Sequence, residues 1–468
     1  MKVLFIGKYH YFENLPVMFL AGFLKKHGYE CVYLDLMFER NYIKAIKKIK
    51  PQIIAFTVVS GLQTMYLDIN RKIKKEYKCF SIFGGPHCTV YPETIYEEGV
   101  DAICRGEGEL PLLELVEKIS NGQNKFDIKN LWIKDGETIY KNELRNLVEN
   151  IDEVSFPDRS VFDHYDHYRK LRSRTTICSR GCPYVCTYCY NNIIMDISKD
   201  KGKYVRIRSV ENVISELKKV KENYKPKRIK FMDDTFILNK KWGLDFCELY
   251  EKEIALPFVA CIRVNIIDEE IIIALKKAGC ISVNYGVECG DEEYRNTVLK
   301  RRLSNEQLVS ISHTFAKHGI KTVGLNMLGL PGETIDDCIK TLKFNIECKV
   351  SFAHTVMFSP LPNTELCNYA IQNNYFNGDF ANLSYNYMFT KSVLNMKDSG
   401  KIKRLQYLFS TIVAFPFMLP FLKILIRLPF TKLYQPLFFL HRVYNHLYIT
   451  KQLDWQDIFV IESGNKKR

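Results

Sequence analysis

The chain lacks the marks of several large protein classes. No 20–50-residue repeat runs through its 468 residues, which excludes solenoids and propellers. It has neither the bias of collagen nor the low hydrophobicity of a disordered chain, since 47% of residues are apolar and 26% charged. The N-terminal apolar run, Met1-Lys-Val-Leu-Phe-Ile-Gly-Lys8, is too short for a signal peptide, so a cytoplasmic protein is expected. No recognisable RNA-binding module occurs, which argues against nucleic acid as the partner. Acidic residues are in deficit: 53 stand against 67 Lys and Arg, for a net charge of +14. Residues 401–468 hold 11 basic and 3 acidic side chains, so much of the excess sits at the C-terminus. An anionic partner is expected from such a balance. The length predicts two or three domains.

Fifteen cysteines in so long a chain do not make a disulfide scaffold. Four of them, Cys178, Cys182, Cys186 and Cys189, crowd into twelve residues and read as metal or redox chemistry in a reducing compartment.

Apolar periodicity divides the chain. Short apolar runs at Val3–Ile6, Cys31–Leu36, Ile53–Val58, Phe80–Phe83 and Ala102–Cys104 alternate with helical patterns at Pro16–His27, Tyr42–Ile49, Gln63–Tyr77 and Leu110–Ser120. This predicts a doubly wound parallel sheet over residues 1–125, with a ligand at the C-terminal ends of its strands. Residues 126–170 read as a hairpin turning at Asp135-Gly136, then an extended linker through Phe156-Pro157-Asp158-Arg159. Over 171–390 six strand candidates, Thr175–Cys178, Arg228–Met232, Phe258–Ile262, Ser282–Val287, Thr322–Met327 and His354–Phe358, alternate with helices such as Val210–Glu222 and Asn305–His318. The expectation is a partial (β/α)6 TIM-type barrel with chemistry on its C-terminal rim. Residues 391–468 are expected to form an apolar and basic helical extension.

Cys182-Pro-Tyr-Val-Cys186-Thr-Tyr-Cys189 carries the chemistry. Three thiolates in this spacing, on a loop leaving a strand, can hold three irons of a [4Fe–4S] cube. The fourth iron then stays open, as a catalytic site requires. A zinc site completed by Cys178 is the alternative, although zinc knuckles use paired C-x2-C units and no second pair occurs here.

The segment Cys178-Ser-Arg-Gly-Cys182 to Cys189, followed by strand–helix units, resembles the radical S-adenosylmethionine (SAM) superfamily. The resemblance implies that SAM chelates the open iron and is cleaved reductively to a 5′-deoxyadenosyl radical. It places Tyr188 near the adenine and Asp233 and Asp234, in Phe231-Met-Asp-Asp-Thr-Phe236, near the SAM ammonium group. The Asp pair also suits a helix N-cap after a strand. Arg263 is expected to pair with the SAM carboxylate, as a guanidinium fork can, or to make an ordinary ion pair. Glu288, in Gly286-Val-Glu-Cys-Gly290, is placed near the SAM ribose or amino group, and Gly329-Leu-Pro-Gly-Glu333 resembles the fifth-strand loop.

The first domain is similar to the flavodoxin-like cobalamin-binding (B12) domain fused to many radical SAM enzymes. The similarity rests on Gly84-Gly-Pro-His87-Cys-Thr89, Thr57-Val-Val-Ser60 and Arg105-Gly-Glu107-Gly-Glu109. Glycines let backbone approach a bulky ligand, and hydroxyls offer hydrogen bonds. Ser60, Gly84, Gly85, His87 and Thr89 are the expected cobalamin contacts, although a flavodoxin-like fold can also carry another cofactor or none. The loop Lys8-Tyr-His10-Tyr-Phe-Glu-Asn14 does not match the Asp-x-His-x-x-Gly of proteins whose histidine ligates cobalt, so His10 is read as a loop residue.

The resemblance covers residues 1–360. Beyond it, apolar clusters over Tyr407–Leu425 and Phe438–Tyr448 are broken by Pro416 and Pro420 and flanked by Lys423, Arg427, Lys432 and Arg442. They suit either an in-plane membrane contact or a helical lid packed on the barrel.

The function this implies is a cobalamin-dependent radical SAM enzyme transferring a methyl group to an unactivated carbon. Its cofactors would be a [4Fe–4S] cluster on Cys182, Cys186 and Cys189, SAM and cobalamin. Its partners would be a small-molecule or lipid substrate and an electron donor such as flavodoxin or ferredoxin. Ring formation or rearrangement without methyl transfer is one alternative. A non-catalytic cobalamin or iron–sulfur sensor is the other. A methylthiotransferase fits less well, because the first domain lacks the extra cysteine trio expected there.

Overall fold

The computed structural model describes residues 1–8, 13–383, 392–429 and 431–451, so His10 lies outside them. In the first unit, apolar runs bounded by turns become β1 (Lys2–Gly7), β2 (Glu30–Asp35), β3 (Ile53–Thr57), β4 (Phe80–Gly84) and β5 (Ala102–Cys104). These five pair in parallel in the order β2-β1-β3-β4-β5. Alternate residues serve opposite faces. Val3 and Phe5 pack against helices Leu15–Lys26 and Glu109–Ser120, whereas Leu4 and Ile6 pack against Tyr42–Ile49 and Gln63–Glu76. Both faces are therefore dry, as parallel sheets require.

The hairpin β6 (Leu131–Asp135) and β7 (Thr138–Lys141) does not stand apart from this unit. It pairs antiparallel with β5, Ala102 opposite Ile133, and brings the sheet to seven strands. The segment after it is equally engaged. Phe162 and Tyr168 set their rings against Tyr33, with centroids 4.6 and 6.2 Å away, and Asp158 N–H donates to Met18 O at 2.9 Å.

The second unit contains β8 (Ser173–Thr176), a two-stranded ribbon of β9 (Ser179–Arg180) and β10 (Arg206–Ile207), then β11 (Arg228–Phe231), β12 (Phe258–Cys261), β13 (Cys280–Glu288), β14 (Lys321–Leu328) and β15 (Phe352–Met357). Strands β8, β11, β12, β13, β14 and β15 lie side by side and parallel, with helices between them: an open six-stranded (β/α) barrel. Helix Lys240–Glu253 is one that periodicity does not announce. It contains Gly243, whose missing side chain leaves room for Ile237, and it starts on an Asn239 cap.

Strand β15 would leave its outer edge bare. Helix Ser399–Ala414 covers it: Ser410 Oγ donates to Ala353 O at 2.6 Å and Gln406 Nε2 to Thr355 O at 3.4 Å. Edge carbonyls that could recruit another strand are thereby satisfied. The extension thus begins as a packed helix, burying Ile402, Leu405, Leu408 and Ile412. Among the described residues no helix is long and apolar enough to cross a membrane.

The two units are joined by buried charge. Glu13, 1% exposed, accepts from Arg174 Nη1 at 2.6 Å and from Thr175 N–H at 3.1 Å. Arg159, expected in an extended linker, is 5% exposed, and its Nη2 donates to Glu216 Oε1 at 2.8 Å. Arg208 reaches the other oxygen of Glu216 at 2.6 Å.

Candidate functional site

The C-terminal ends of both sheets face one cleft of about 470 Å³. That size lies within the roughly 300–1,000 Å³ of small-molecule sites. From the first unit come Thr57, Gly84, Gly85, Thr89, Gly106 and Gly108, and from the barrel Ile177, Ser179, Gly181, Met232, Asp233 and Asp234. Most of the wall is apolar or backbone. At Gly85, φ is +94°, and a Cβ would sit 2.8 Å from Val58 O, so only glycine allows this approach.

The predicted contacts on the first unit divide into two groups. Gly84, Gly85 and Thr89 line the cleft, and Thr89 Oγ1 ties the loops around it, donating to Gly85 O at 2.9 Å and accepting from Gly106 N–H at 3.0 Å. Ser60 and His87 are not among its walls. Ser60 Oγ lies 2.8 Å from His87 Nδ1 and also hydrogen-bonds Tyr190 Oη of the barrel. His87 is 2% exposed, and burial pushes its pKa down to about 4, so it is neutral near pH 7. This trio therefore joins the first unit to the residue after Cys189.

On the barrel side, the cysteine loop leaves β8 and returns as helix Tyr190–Ile197, with Cys189 as its N-cap. Asp233 anchors the start. Its Oδ1 accepts from Cys178 N–H at 2.8 Å, Ser179 N–H at 2.7 Å and Ser179 Oγ at 2.6 Å. Its Oδ2 is buried with no hydrogen-bond partner. Burial raises the Asp233 carboxyl to about 7 despite those three donors. Asp234 carries accessible surface but stands within the cleft wall, and confinement there shifts its carboxyl upward too. Thr187 fixes the far part of the loop, donating through Oγ1 to Val298 O at 2.7 Å.

Cys182 and Cys189 are partly accessible and Cys186 is buried; all fifteen cysteines are free thiols. Two guanidiniums meet Cys186: Arg263 Nη1 lies 3.3 Å and Arg301 Nη1 3.9 Å from its Sγ. Arg263 also stacks on Tyr184 at 3.5 Å, donates to Asn265 Oδ1 at 2.9 Å and reaches Arg301 O. Tyr188 Oη donates to Glu288 Oε1 at 2.9 Å and accepts from Arg301 Nη1 at 3.1 Å. Glu288 itself has φ +65° at a bulge between β13 and β14, a strained conformation for a side-chain-bearing residue. Gly286 makes room for this pair, because a Cβ there would collide with Glu288 Oε1 and lie 2.5 Å from Arg301 Nη2. Glu333 has a local role, accepting from Leu330 N–H at 2.9 Å inside its own turn.

The donor set fits an iron–sulfur cube. Cys182, Cys186 and Cys189 are three free thiols on one loop, with two guanidiniums beside Cys186 to meet the charge of a metal-bound thiolate. Cys178, the extra sulfur a zinc site would need, is fully buried in the barrel core. Burial pushes Cys189 up to about 11, so metal binding there must displace a proton. The glycine-walled cleft with an orphaned carboxylate oxygen likewise fits a bulky polar cofactor.

Several residues here escape sequence reasoning. Arg301 belongs to no motif. Arg180 donates to Glu107 Oε1 at 2.9 Å and to Glu109 Oε1 at 2.5 Å, and Arg206 donates to Glu107 Oε1 at 2.8 Å. The acidic residues of Arg105-Gly-Glu-Gly-Glu109 therefore clasp the barrel beside the cleft. Burial would raise the pKa of Glu107, but the two guanidiniums outweigh it and hold the carboxyl below its ordinary range.

Comparison with known proteins agrees with this architecture. Residues 1–116 match the B12 binding domain and residues 176–344 the Radical SAM superfamily. The chain is 32% identical over 346 residues to the uncharacterized methyltransferase PH0819 of Pyrococcus horikoshii, covering 73% of each protein. It is 26% identical over 399 residues to the anaerobic magnesium-protoporphyrin IX monomethyl ester cyclase of Rubrivivax gelatinosus, covering 78% of this chain and 69% of that one. The fold is shared with the radical SAM methyltransferase TsrM from Kitasatospora setae, solved with cobalamin and a [4Fe–4S] cluster. The TM-score is 0.66 at 17% identity, over 80% of this chain and 78% of that one. A B12-binding sheet, a cysteine loop and an open barrel in one chain thus have a single home: the protein belongs to the radical SAM superfamily, among its members with a cobalamin-binding domain.

Proposed function

We propose that this chain is a cobalamin-dependent radical SAM methyltransferase acting on an unactivated carbon of a small molecule. The observation that carries the reading is the shared cleft. Groups expected to hold cobalamin (Gly84, Gly85, Thr89) and groups expected near SAM (Asp233, Asp234) line the same space. When bound, the cluster with SAM supplies a 5′-deoxyadenosyl radical for hydrogen removal, and cobalamin supplies the methyl group.

The protein's own part is positional and electrostatic. Cys182, Cys186 and Cys189 would hold the cluster, and Arg263 and Arg301 beside Cys186 offset the charge of its thiolate. Asp233 fixes the loop through Oδ1, which leaves Oδ2 and the Asp234 carboxylate as acceptors for an ammonium group. Glu288, held by Tyr188 and Arg301, is suited to the ribose or amino group of SAM. Arg263 could reach a SAM carboxylate only by giving up part of its present set of partners. A low-potential donor such as flavodoxin or ferredoxin would supply electrons, in a reducing cytoplasm that keeps fifteen thiols free.

Similarity to the Rubrivivax cyclase favours a second reading, ring formation without methyl transfer. One experiment separates the two. Anaerobically reconstituted protein with hydroxocobalamin, SAM and dithionite should form 5′-deoxyadenosine, and a supplied extract should yield a product heavier by CH2, labelled from methyl-deuterated SAM. Deoxyadenosine with no label transfer would favour cyclisation. Cofactor binding without deoxyadenosine would overturn both.

A further inference from the structure

The C-terminal extension presents a surface that the proposed chemistry does not use. From Ser399 to Leu453 there is no Asp or Glu, but eight Lys and Arg: 401, 403, 404, 423, 427, 432, 442 and 451. Of the sixteen exposed large hydrophobic side chains among the described residues, ten fall between Phe415 and Tyr448. So many apolar groups in one short stretch exceed the scatter normal on a soluble surface.

The exposure is organised. In helix Thr431–Tyr444 and the turn after it, Leu433, Leu437, Leu440, Tyr444 and Tyr448 recur at helical spacing and are all exposed, Leu433 at 66%. The adjoining side, Tyr434 and Phe438, is buried against helix Ser399–Ala414, with the Phe438 and Tyr407 rings 5.3 Å apart. The helix therefore carries two adjoining apolar stripes and uses one for the fold. Phe417, 73% exposed, Phe421 and Ile424 extend the patch, because Phe415 touches both Phe417 and His441 of the helix. Lys423, Arg427 and Lys432 are exposed within the same stretch.

We propose that residues 415–429 and 431–448 form an in-plane docking surface for an anionic lipid bilayer. The helix has 14 residues, about 21 Å at 1.5 Å per residue, and contains Pro436, so it is too short to span and suited to lie in the interface. Charge selects the occupant. A second copy would bring the same cations and no carboxylate from this region, so like charges would oppose it. A leaflet of phosphate headgroups meets the cations while its acyl region takes the aromatic and leucine side chains.

Cofactor-free full-length protein, sedimented with phosphatidylcholine vesicles with or without 30% phosphatidylglycerol, tests this without reference to catalysis. Protein should pellet with the anionic vesicles and be released by salt. Arg427→Glu and Lys432→Glu should each weaken partitioning by about fivefold or more. Phe417→Ser with Leu433→Ser and Leu440→Ser should abolish it, with circular dichroism unchanged because these side chains make no core. Absence of binding, or equal salt-independent binding to neutral vesicles, overturns the proposal. So does a dimer in equilibrium ultracentrifugation that the serine variants dissolve, or vesicle binding only after deletion of residues 452–468.

Discussion

Two guanidiniums reach the Cys186 sulfur, an arrangement favourable to a metal-bound thiolate. Cys186→Ala should therefore leave folding intact but lower iron and sulfide content and remove the absorbance near 400 nm after anaerobic reconstitution. Gly286 offers a second test. A methyl group there collides with Glu288 and Arg301, so Gly286→Ala should weaken SAM binding by tenfold or more in calorimetry while iron content holds. Retained SAM affinity would remove Glu288 from the site. The three cysteines are legible from their spacing, and Glu288 only through the resemblance of Gly286-Val-Glu-Cys-Gly290 to the family's fourth-strand motif. The sequence is silent on Arg301, because that side chain matters only once the turn after helix Glu292–Thr297 folds back over the loop 115 residues earlier.

At the scale of elements, the five parallel strands of the first sheet were legible because each is a largely apolar run between turn residues. Their centres differ little from expectation, and β5 and helix Tyr42–Ile49 agree to the residue. By contrast, β8, Ser-Arg-Thr-Thr, starts two residues before its expected place, and the β9–β10 ribbon carries no such run. Linking segments were not legible, since Arg159 gives no local sign of being buried. Its burial depends on Glu216, 57 residues away on helix Val210–Tyr224. Burial would raise the Glu216 pKa, yet Arg159 and Arg208 hold it below its ordinary value. A lowered folded pKa means that the stabilisation is complete above the unfolded value of about 4.3 and is lost as pH falls through the folded one. Glu216→Gln should thus cost about 3–5 kcal/mol in urea unfolding at pH 7. That gap should shrink in strong acid; a gap independent of pH would show that packing, not charge, sets it.

For the molecule as a whole, the cleft makes cofactor binding a matter of stability as well as reactivity. A ligand at 100 times its Kd adds about 2.7 kcal/mol to whatever it binds. Hydroxocobalamin should accordingly raise the melting temperature by several degrees. At Gly84 a Cβ would meet Cys104 Cβ at an ordinary 3.5 Å, so Gly84→Leu should fold yet intrude on the cleft and lose most of that rise. An equal rise in the variant would place cobalamin elsewhere.

The clasp of Arg180 and Arg206 on Glu107 and Glu109 has a consequence for biogenesis. A ribosome that has released only the first sheet displays two carboxylates and a half-walled trough, with none of the basic residues that later close on them. Vitamin loading on the nascent chain would meet an incomplete receptacle. On the proposed placement of cobalamin in this cleft, retention waits until translation has passed Asp234, the last residue to enter the wall.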